Sequence, residues 1–272
     1  MQKDWDKSTI EQRTTASNMK ITILQTDIKW AEINANIDNA EHLIEEASHS
    51  DIYVLPEMWS TGYAIEPQGI SEDADNSVSL KWMINIARSL GSAIVGSLSI
   101  TESGKYYNRL YFVYPDGNFK YYDKHHLFRL GGESKHYTAG NSRVIVEYKG
   151  IRILIATCFD LRFPEWIRNF NDYDCIIIAA NWPESRQNAW DILLKARAIE
   201  NQCYAIGVNR TGNDKYCNYI GKSAVIDAYG KDIICCPGSE NISMSCDIDI
   251  KELQKFRSEF SVLEDRDNYI LV

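Results

Sequence analysis

Three segments of the chain place a reactive side chain directly after a run of strand-forming apolar residues. They are Glu57 in "VLPEMW", Lys124 in "YYDKHHLF" and Cys158 in "IATCFDLRFPEW". A structural cysteine favours apolar company, yet Cys158 is followed closely by Asp160, Arg162 and Glu165. That crowding suits a sulfur placed where a strand opens into a polar cleft. A carboxylate can take the thiol proton, a lysine ammonium favours thiolate and steadies a developing oxyanion, and the sulfur attacks. Singly, each residue also has an ordinary reading: a core cysteine, a surface lysine, a surface or helix-capping glutamate. The chemistry needs the three to converge, although 67 residues separate Glu57 from Lys124 and 34 separate Lys124 from Cys158.

An α/β fold provides such convergence, because strand ends share one rim. The chain carries the required elements. "MKITILQTDI" alternates like a strand, and the stretch after it spaces Ile37, Ala40, Leu43, Ile44 and Ala47 at helical intervals. "SVSLKWMINIARSLG" reads as a helix stopped by Gly91, between the strands around "DIYVLP" and "SAIVGSLSI". Strands "RLYFVYP" and "FKYYDKHHLF" follow, then a hairpin turning at Lys149-Gly150 that runs into Cys158. "PEWIRNF" reads as a helix start and "CIIIAANWP" as a strand buried on both faces. A helix over "NAWDILLKARAIENQ" with an apolar face of Ala189, Ile192, Leu193 and Ala196 leads to "CYAIGVNRTG", and "SAVIDAYG" and "KDIICC" form a hairpin around Gly230. Strands with intervening helices and hairpins predict an α/β fold of two mixed sheets packed face to face, with helices outside.

Composition narrows the function classes. With 272 residues, 44% hydrophobic and 25% charged, and no Pro/Gly/Ser-rich linker, the chain reads as one globular domain over 19–272 behind a polar, disordered leader at 1–18. A formal charge of −9 without a Lys/Arg stripe argues against nucleic acid. No apolar run approaches the roughly 20 residues needed to span a membrane. The leader lacks the apolar core of a signal peptide, so a cytoplasmic protein is expected, with Met1 or Met19 as its start. Seven cysteines without a C-x-x-C pair, several in strand-like runs (Cys175, Cys203, Cys246), indicate neither a disulfide framework nor a zinc site. No internal repeat or low-complexity segment is evident.

The segments around Glu57, Lys124 and Cys158 together resemble the nitrilase superfamily of carbon–nitrogen hydrolases, over nearly all of residues 19 to 272. The resemblance implies a four-layer αββα sandwich and assigns Glu57 as general base, Lys124 as its cationic partner and Cys158 as nucleophile. It adds Glu133, in "RLGGESKHYTAG", as a second carboxylate that holds the lysine and positions substrate. Phe159 is then expected to offer its backbone N–H to the oxyanion, and Asp160 and Glu165 to fix the turn. Arg162 suits bidentate binding of a substrate carboxylate, with a structural salt bridge to Asp160 or Glu184 as its alternative. Trp182 is a pocket wall or ordinary core packing.

Within the superfamily, "PEMWSTGY", "HLFRLGGESKHYTAG", "CFDLRFPEW" and the long stretch from "NWPESRQNAW" to "VNRTGND" look most like the ω-amidases. These hydrolyse the terminal amide of short dicarboxylic acid monoamides such as α-ketoglutaramate and succinamate. The resemblance implies a thioester on Cys158, no metal and no organic cofactor, a small-molecule amide as partner and a homodimer or larger homo-oligomer with the C-terminal tail at its interface. Alternatives are an N-carbamoyl amidase or aliphatic amidase of the same superfamily and, from another class, a catalytically silent binding protein. A papain-like protease would need a histidine base, and none of the five histidines lies in such a signature.

Overall fold

The computed structural model describes residues 18–270. The leader therefore lies outside the described residues except for Asn18, which opens the first strand. The first half of the chain runs β1 (Asn18–Gln25), α1 (Ile33–Glu46), β2 (Ile52–Val54), β3 (Glu72–Asp73), α2 (Val78–Leu90), β4 (Ala93–Glu102), β5 (Lys105–Val113) and β6 (Phe119–Asp123). The second runs β7 (Val144–Tyr148), β8 (Ile151–Thr157), β9 (Cys175–Ala180), α3 (Gln187–Glu200), β10 (Tyr204–Asn209), β11 (Thr211–Asn213), β12 (Asn218–Ile220), β13 (Ala224–Ile226), β14 (Asp232–Cys235), β15 (Ile242–Asp249) and α4 (Ile250–Glu259). One sheet has the order β15-β1-β2-β4-β5-β6 with β3 beside β4, the other β14-β13-β10-β9-β8-β7, and β11 and β12 form a small ribbon. The centre of each sheet is parallel, through β1-β2-β4 and β8-β9-β10, and hairpins extend the edges.

The layers follow from period-two alternation. In β4, Ala93 and Val95 join the core between the sheets, while Ile94, Leu98 and Ile100 face the layer that holds Leu43 of α1 and Met83 of α2. Strand β9 is buried along its whole length, as its unbroken apolar run predicts. Helix α2 starts where the Ser77 side chain accepts from the Leu80 N–H and stops at Gly91, whose φ of 65° is the left-handed cap. The β7–β8 hairpin turns through Lys149 and Gly150, both at positive φ, the primed geometry that suits the strand twist. Two sheets with helices outside form the four-layer α/β sandwich.

Three elements differ from expectation. Helix α3 buries Trp190, Leu194, Arg197 and Ala198, and Ile192 of the expected face is 56% exposed. The helix rolls onto β10 at Gly207, where a Cβ would lie within 2.9 Å of both Leu194 and Trp190. "PEWIRNF" is a turn: the Asn169 side chain accepts from the Asp172 N–H and donates to the Tyr173 carbonyl, taking backbone groups that a helix would use. The third difference is at the C-terminal end. Strand β15 completes the first sheet beside β1, and Asp249 caps α4 by accepting from the Lys251 and Glu252 N–H groups. After α4, Leu263 is buried and the Tyr269 hydroxyl donates to the Glu165 carbonyl at 2.6 Å. Phe260 and Ile270 remain exposed.

Candidate active site

Strand β8 ends at Thr157, and Cys158 turns the chain at φ 46° into a short 3₁₀ helix, Cys158–Arg162. A non-glycine residue in that region costs about 1 kcal/mol or more, a strain kept where the surroundings over-determine it. Here they do. Asp160 is completely buried and its carboxylate accepts from the Thr157 N–H, the His126 N–H and the Tyr122 hydroxyl, with His126 Nδ1 at 2.8 Å. From the other side, buried Arg197 of α3 donates twice to the Leu161 carbonyl, at 3.0 and 2.6 Å. The elbow is thereby fixed with Cys158 opening onto a cleft of about 880 Å³. Asp160 has its expected part, whereas Glu165 is exposed and does not hold the turn through its side chain.

Behind the sulfur the structure brings Glu57, Lys124 and Glu133 together in a dry cluster. All three side chains are 0% exposed. Lys124 follows β6 and donates to Glu57 Oε1 at 2.8 Å and to Glu133 at 2.9 and 3.1 Å. Asn108, inside β5, donates to Glu57 at 2.7 Å and to Glu133 at 3.0 Å, and its own oxygen accepts from Ser97 of β4. Glu57 also bridges the two sheets, since its Oε2 accepts from the Asn181 N–H at 2.8 Å just past β9. Glu133 Oε2 accepts from the Phe128 N–H at 2.6 Å. Met58, next to Glu57, adopts φ 43° and donates its N–H to Ser97, so a second strained residue flanks the site.

These neighbours set protonation states. Burial alone would lower the Lys124 ammonium pKa, but Glu133 and Glu57 outweigh it and hold the value well above the usual range. Burial, then the Glu57 charge, push the Cys158 thiol well above its usual range, with Lys124 opposing. At rest the thiol is neutral and Lys124 an ammonium, so attack by sulfur requires a base, and Glu57 is the side chain whose charge weighs most on the thiol.

The cleft wall carries the remaining expected residues. Arg162 lines it with its guanidinium 4.8 Å from the Trp182 ring centroid, and makes no salt bridge to Asp160, Glu184 or any other carboxylate among the described residues. Trp182 is 3% exposed, donates its indole N–H to the Arg186 carbonyl and packs on Trp190, so it is wall and core at once. Phe159 lines the cleft between Phe128 and Phe163; as the second residue of a 3₁₀ helix its N–H has no intrahelical acceptor. Sequence reasoning missed Asn108, Tyr63 and Asn181. Tyr63 places its ring 5.6 Å from Lys124 Nζ, and the Asn181 carbonyl lies 3.9 Å from Cys158 Sγ. For Asn108 and Asn181 the sequence signal is a polar residue within or just after an apolar strand; Tyr63 lies in the loop after Glu57 and carries no such signal. Among the described residues no three His, Cys, Asp or Glu side chains are grouped to hold a metal ion, and no helix is long and apolar enough to cross a membrane.

Comparison with known proteins meets this geometry from a separate direction. A family model for carbon–nitrogen hydrolases matches residues 20–258. The chain is similar to omega-amidase YafV of Escherichia coli, 42% identical over 93% of this chain and 98% of that protein. It is also similar to 2-oxoglutaramate amidase of Bacillus subtilis, 35% identical over 90% and 96% of the respective lengths. Among solved structures, XC1258 from Xanthomonas campestris, a CN-hydrolase superfamily protein with an arsenic adduct in its active site, aligns with a TM-score of 0.91 at 37% identity. It covers 94% of this chain and 100% of that one.

Proposed function

We propose, from the premise that this chain belongs to the carbon–nitrogen hydrolase family of the nitrilase superfamily and is an enzyme acting on amides, that it hydrolyses the terminal amide of short dicarboxylic acid monoamides such as α-ketoglutaramate and succinamate. Arg162 carries the reading. It is a guanidinium on the cleft wall beside the nucleophile elbow, stacked on Trp182 and without an acidic partner among the described residues. A planar fork left open in such a place suits a carboxylate brought by the substrate.

Glu57 takes the Cys158 proton as sulfur attacks the amide carbon. The Phe159 N–H and the field of the Lys124 ammonium stabilise the oxyanion, and Glu133 holds Lys124 in place. Collapse breaks the C–N bond, and Glu57 returns the proton to the departing nitrogen, releasing ammonia and leaving a thioester. Water then attacks that carbonyl with Glu57 again as base, and the acid and the thiol are regenerated. No metal or organic cofactor enters the scheme. The reading also takes residues 19–272 as the hydrolase domain of a cytoplasmic homodimer or larger homo-oligomer with the C-terminal segment, including exposed Phe260 and Ile270, at the interface. A solution mass of 31.2 kDa at micromolar concentration would remove the oligomer.

Ammonia release from a panel of succinamate, α-ketoglutaramate, an uncharged amide of equal length and an N-carbamoyl amine tests the substrate. The expected order puts the two monoamides first. Faster turnover of the carbamoyl compound or of the plain amide would assign the neighbouring activities of the superfamily instead.

A further inference from the structure

Two polar atoms on the cleft wall have no partner among the described residues. The Tyr63 hydroxyl and Asn181 Oδ1 are both buried, neither has a partner at hydrogen-bonding distance and angle, although the Glu133 carboxylate lies near the Tyr63 hydroxyl, and both residues line the cavity onto which Cys158 opens. Other unpartnered buried atoms, such as Ser79 Oγ and Arg210 Nη1, belong to residues away from that lining. Leaving a buried donor or acceptor unpaired is costly, and two in one cavity point to something that enters it. The neighbouring donors are already committed. Lys124 Nζ contacts only the carboxylate oxygens of Glu57 and Glu133, and both Asn108 Nδ2 contacts go to the same pair. Burial and then the Glu133 charge push the Tyr63 phenol well above its usual pKa, so it stays a neutral donor, although no acceptor stands at bonding distance and angle.

A primary carboxamide presents an acceptor, its carbonyl oxygen, and a donor, its NH₂. A phenol can serve the first. The side-chain oxygen of Asn181 can serve only the second, because it cannot donate. We propose that Tyr63 and Asn181 read the scissile carboxamide: Tyr63 Oη donates to the carbonyl oxygen and follows it into the oxyanion, and Asn181 Oδ1 accepts from the leaving NH₂. Asn181 is well placed for this, since its carbonyl lies 3.9 Å from Cys158 Sγ and its N–H holds Glu57. The pair would make the site select amides over esters and nitriles, neither of which carries an N–H to satisfy Asn181. The inference rests on the reading of Cys158 as the nucleophile of an amidase.

The test compares succinamate with the methyl monoester of succinic acid in wild type, Tyr63→Phe and Asn181→Ser. Tyr63→Phe removes only the unpartnered hydroxyl. It should lose roughly 10- to 100-fold in kcat/KM, mostly in kcat and on amide and ester alike, with a Tm equal to or above wild type. Asn181→Ser also loses its bond to the Glu57 carbonyl, which disturbs both substrates, so the ester serves as reference and the amide-to-ester ratio should fall at least about tenfold. Wild-type kcat in Tyr63→Phe, a Tm drop showing that its hydroxyl is structural, or an unchanged ratio in Asn181→Ser would overturn the proposal. The same variants on an uncharged primary amide keep the tests apart, because loss of the dicarboxylate preference in wild type would overturn the substrate reading alone.

Discussion

Strands β8 and β9 carry a buried ion cluster at each end. At their start, Arg152 and Arg257 grip Asp174: Arg152 donates to it through its main-chain N–H, Nε and Nη2, and Arg257 through Nη1. The other guanidinium nitrogens go to the carbonyls of Asn171, Gln202 and Tyr173, so the cluster ties both strands to α4 and leaves no guanidinium nitrogen without a partner. At the far end of the same strands, one cation meets two carboxylates, a thiol opens on the cleft, and two polar atoms nearby have no partner. The ingredients are alike; the difference is closure. A satisfied cluster is a staple, and one with open valences and a strained elbow is a site awaiting a ligand.

The contrast is broken most severely at the open end. Cys158→Ala should reduce amide hydrolysis on the order of 10⁴-fold or more, while losing one sulfur at a cleft-facing position should leave the fold and Tm almost unchanged. Intact-mass measurement of quenched wild type should find one acyl group on Cys158. Retained activity in the variant without any adduct would remove the site from this end of the strands. Next comes Arg162. A desolvated charge-assisted pair is worth roughly 2 to 4 kcal/mol when one partner is truncated, so Arg162→Ala should lose about 30- to 1000-fold in kcat/KM on succinamate and far less on an uncharged amide of equal length. Arg162→Lys should recover only part, because an ammonium cannot make two parallel bonds. Equal losses on both substrates would make Arg162 structural.

The closed end predicts the reverse pattern. Asp174→Asn should destabilise the protein by about 2 kcal/mol, since it leaves two partly buried guanidinium groups without their charge partner, yet leave kcat within a few-fold of wild type. Burial alone would raise the Asp174 carboxyl pKa, but Arg152 and Arg257 outweigh it and hold it below 3.8. A depressed folded pKa contributes stability that is present above 3.8 and lost as pH falls through the folded value. The variant should therefore flatten the acid limb of a Tm-against-pH curve. Unaltered acid sensitivity would show that the staple carries no stability.

The two ends also differ in how far the sequence announces them. Cys158 and Lys124 stand at the ends of apolar runs, and β4, β9 and the Lys149-Gly150 turn carry their own alternation or punctuation, so both the sheets and the charged centre are legible. Strand β15 carries the signal too, since "ISMSCDID" alternates strictly and Ile242, Met244, Cys246 and Ile248 pack on the core between the sheets; its pairing with β1 at the other end of the chain is what no local pattern announces. Helix α4 is short and polar, with Ile250 and Leu253 alone buried. The roll of α3 depends on the absent side chain of Gly207, two strands away in the sheet from Cys158, and no periodicity within the helix reveals it. Asn108, Tyr63 and Asn181 acquire their places only when the two sheets bring β5, β9 and the loop after Glu57 together.

The smallest expected effect concerns the resting thiol and asks which charge governs the open end. Burial comes first in raising the Cys158 pKa and the Glu57 charge second, with Lys124 opposing. Glu57→Gln removes the carboxylate but neither the burial nor the ammonium, so the thiol should titrate at lower pH in the variant. Alkylation by iodoacetamide at mildly alkaline pH should then be faster than in wild type, even though amide hydrolysis is lost for want of a base. Asp174→Asn, at the other end of the same strands, should leave that alkylation profile unmoved. If Glu57→Gln instead slows alkylation, the carboxylate is already drawing the proton away in the free enzyme, and the resting site is a thiolate with a protonated glutamate. That outcome would replace the neutral thiol derived from burial, and would mean that proton transfer precedes substrate binding.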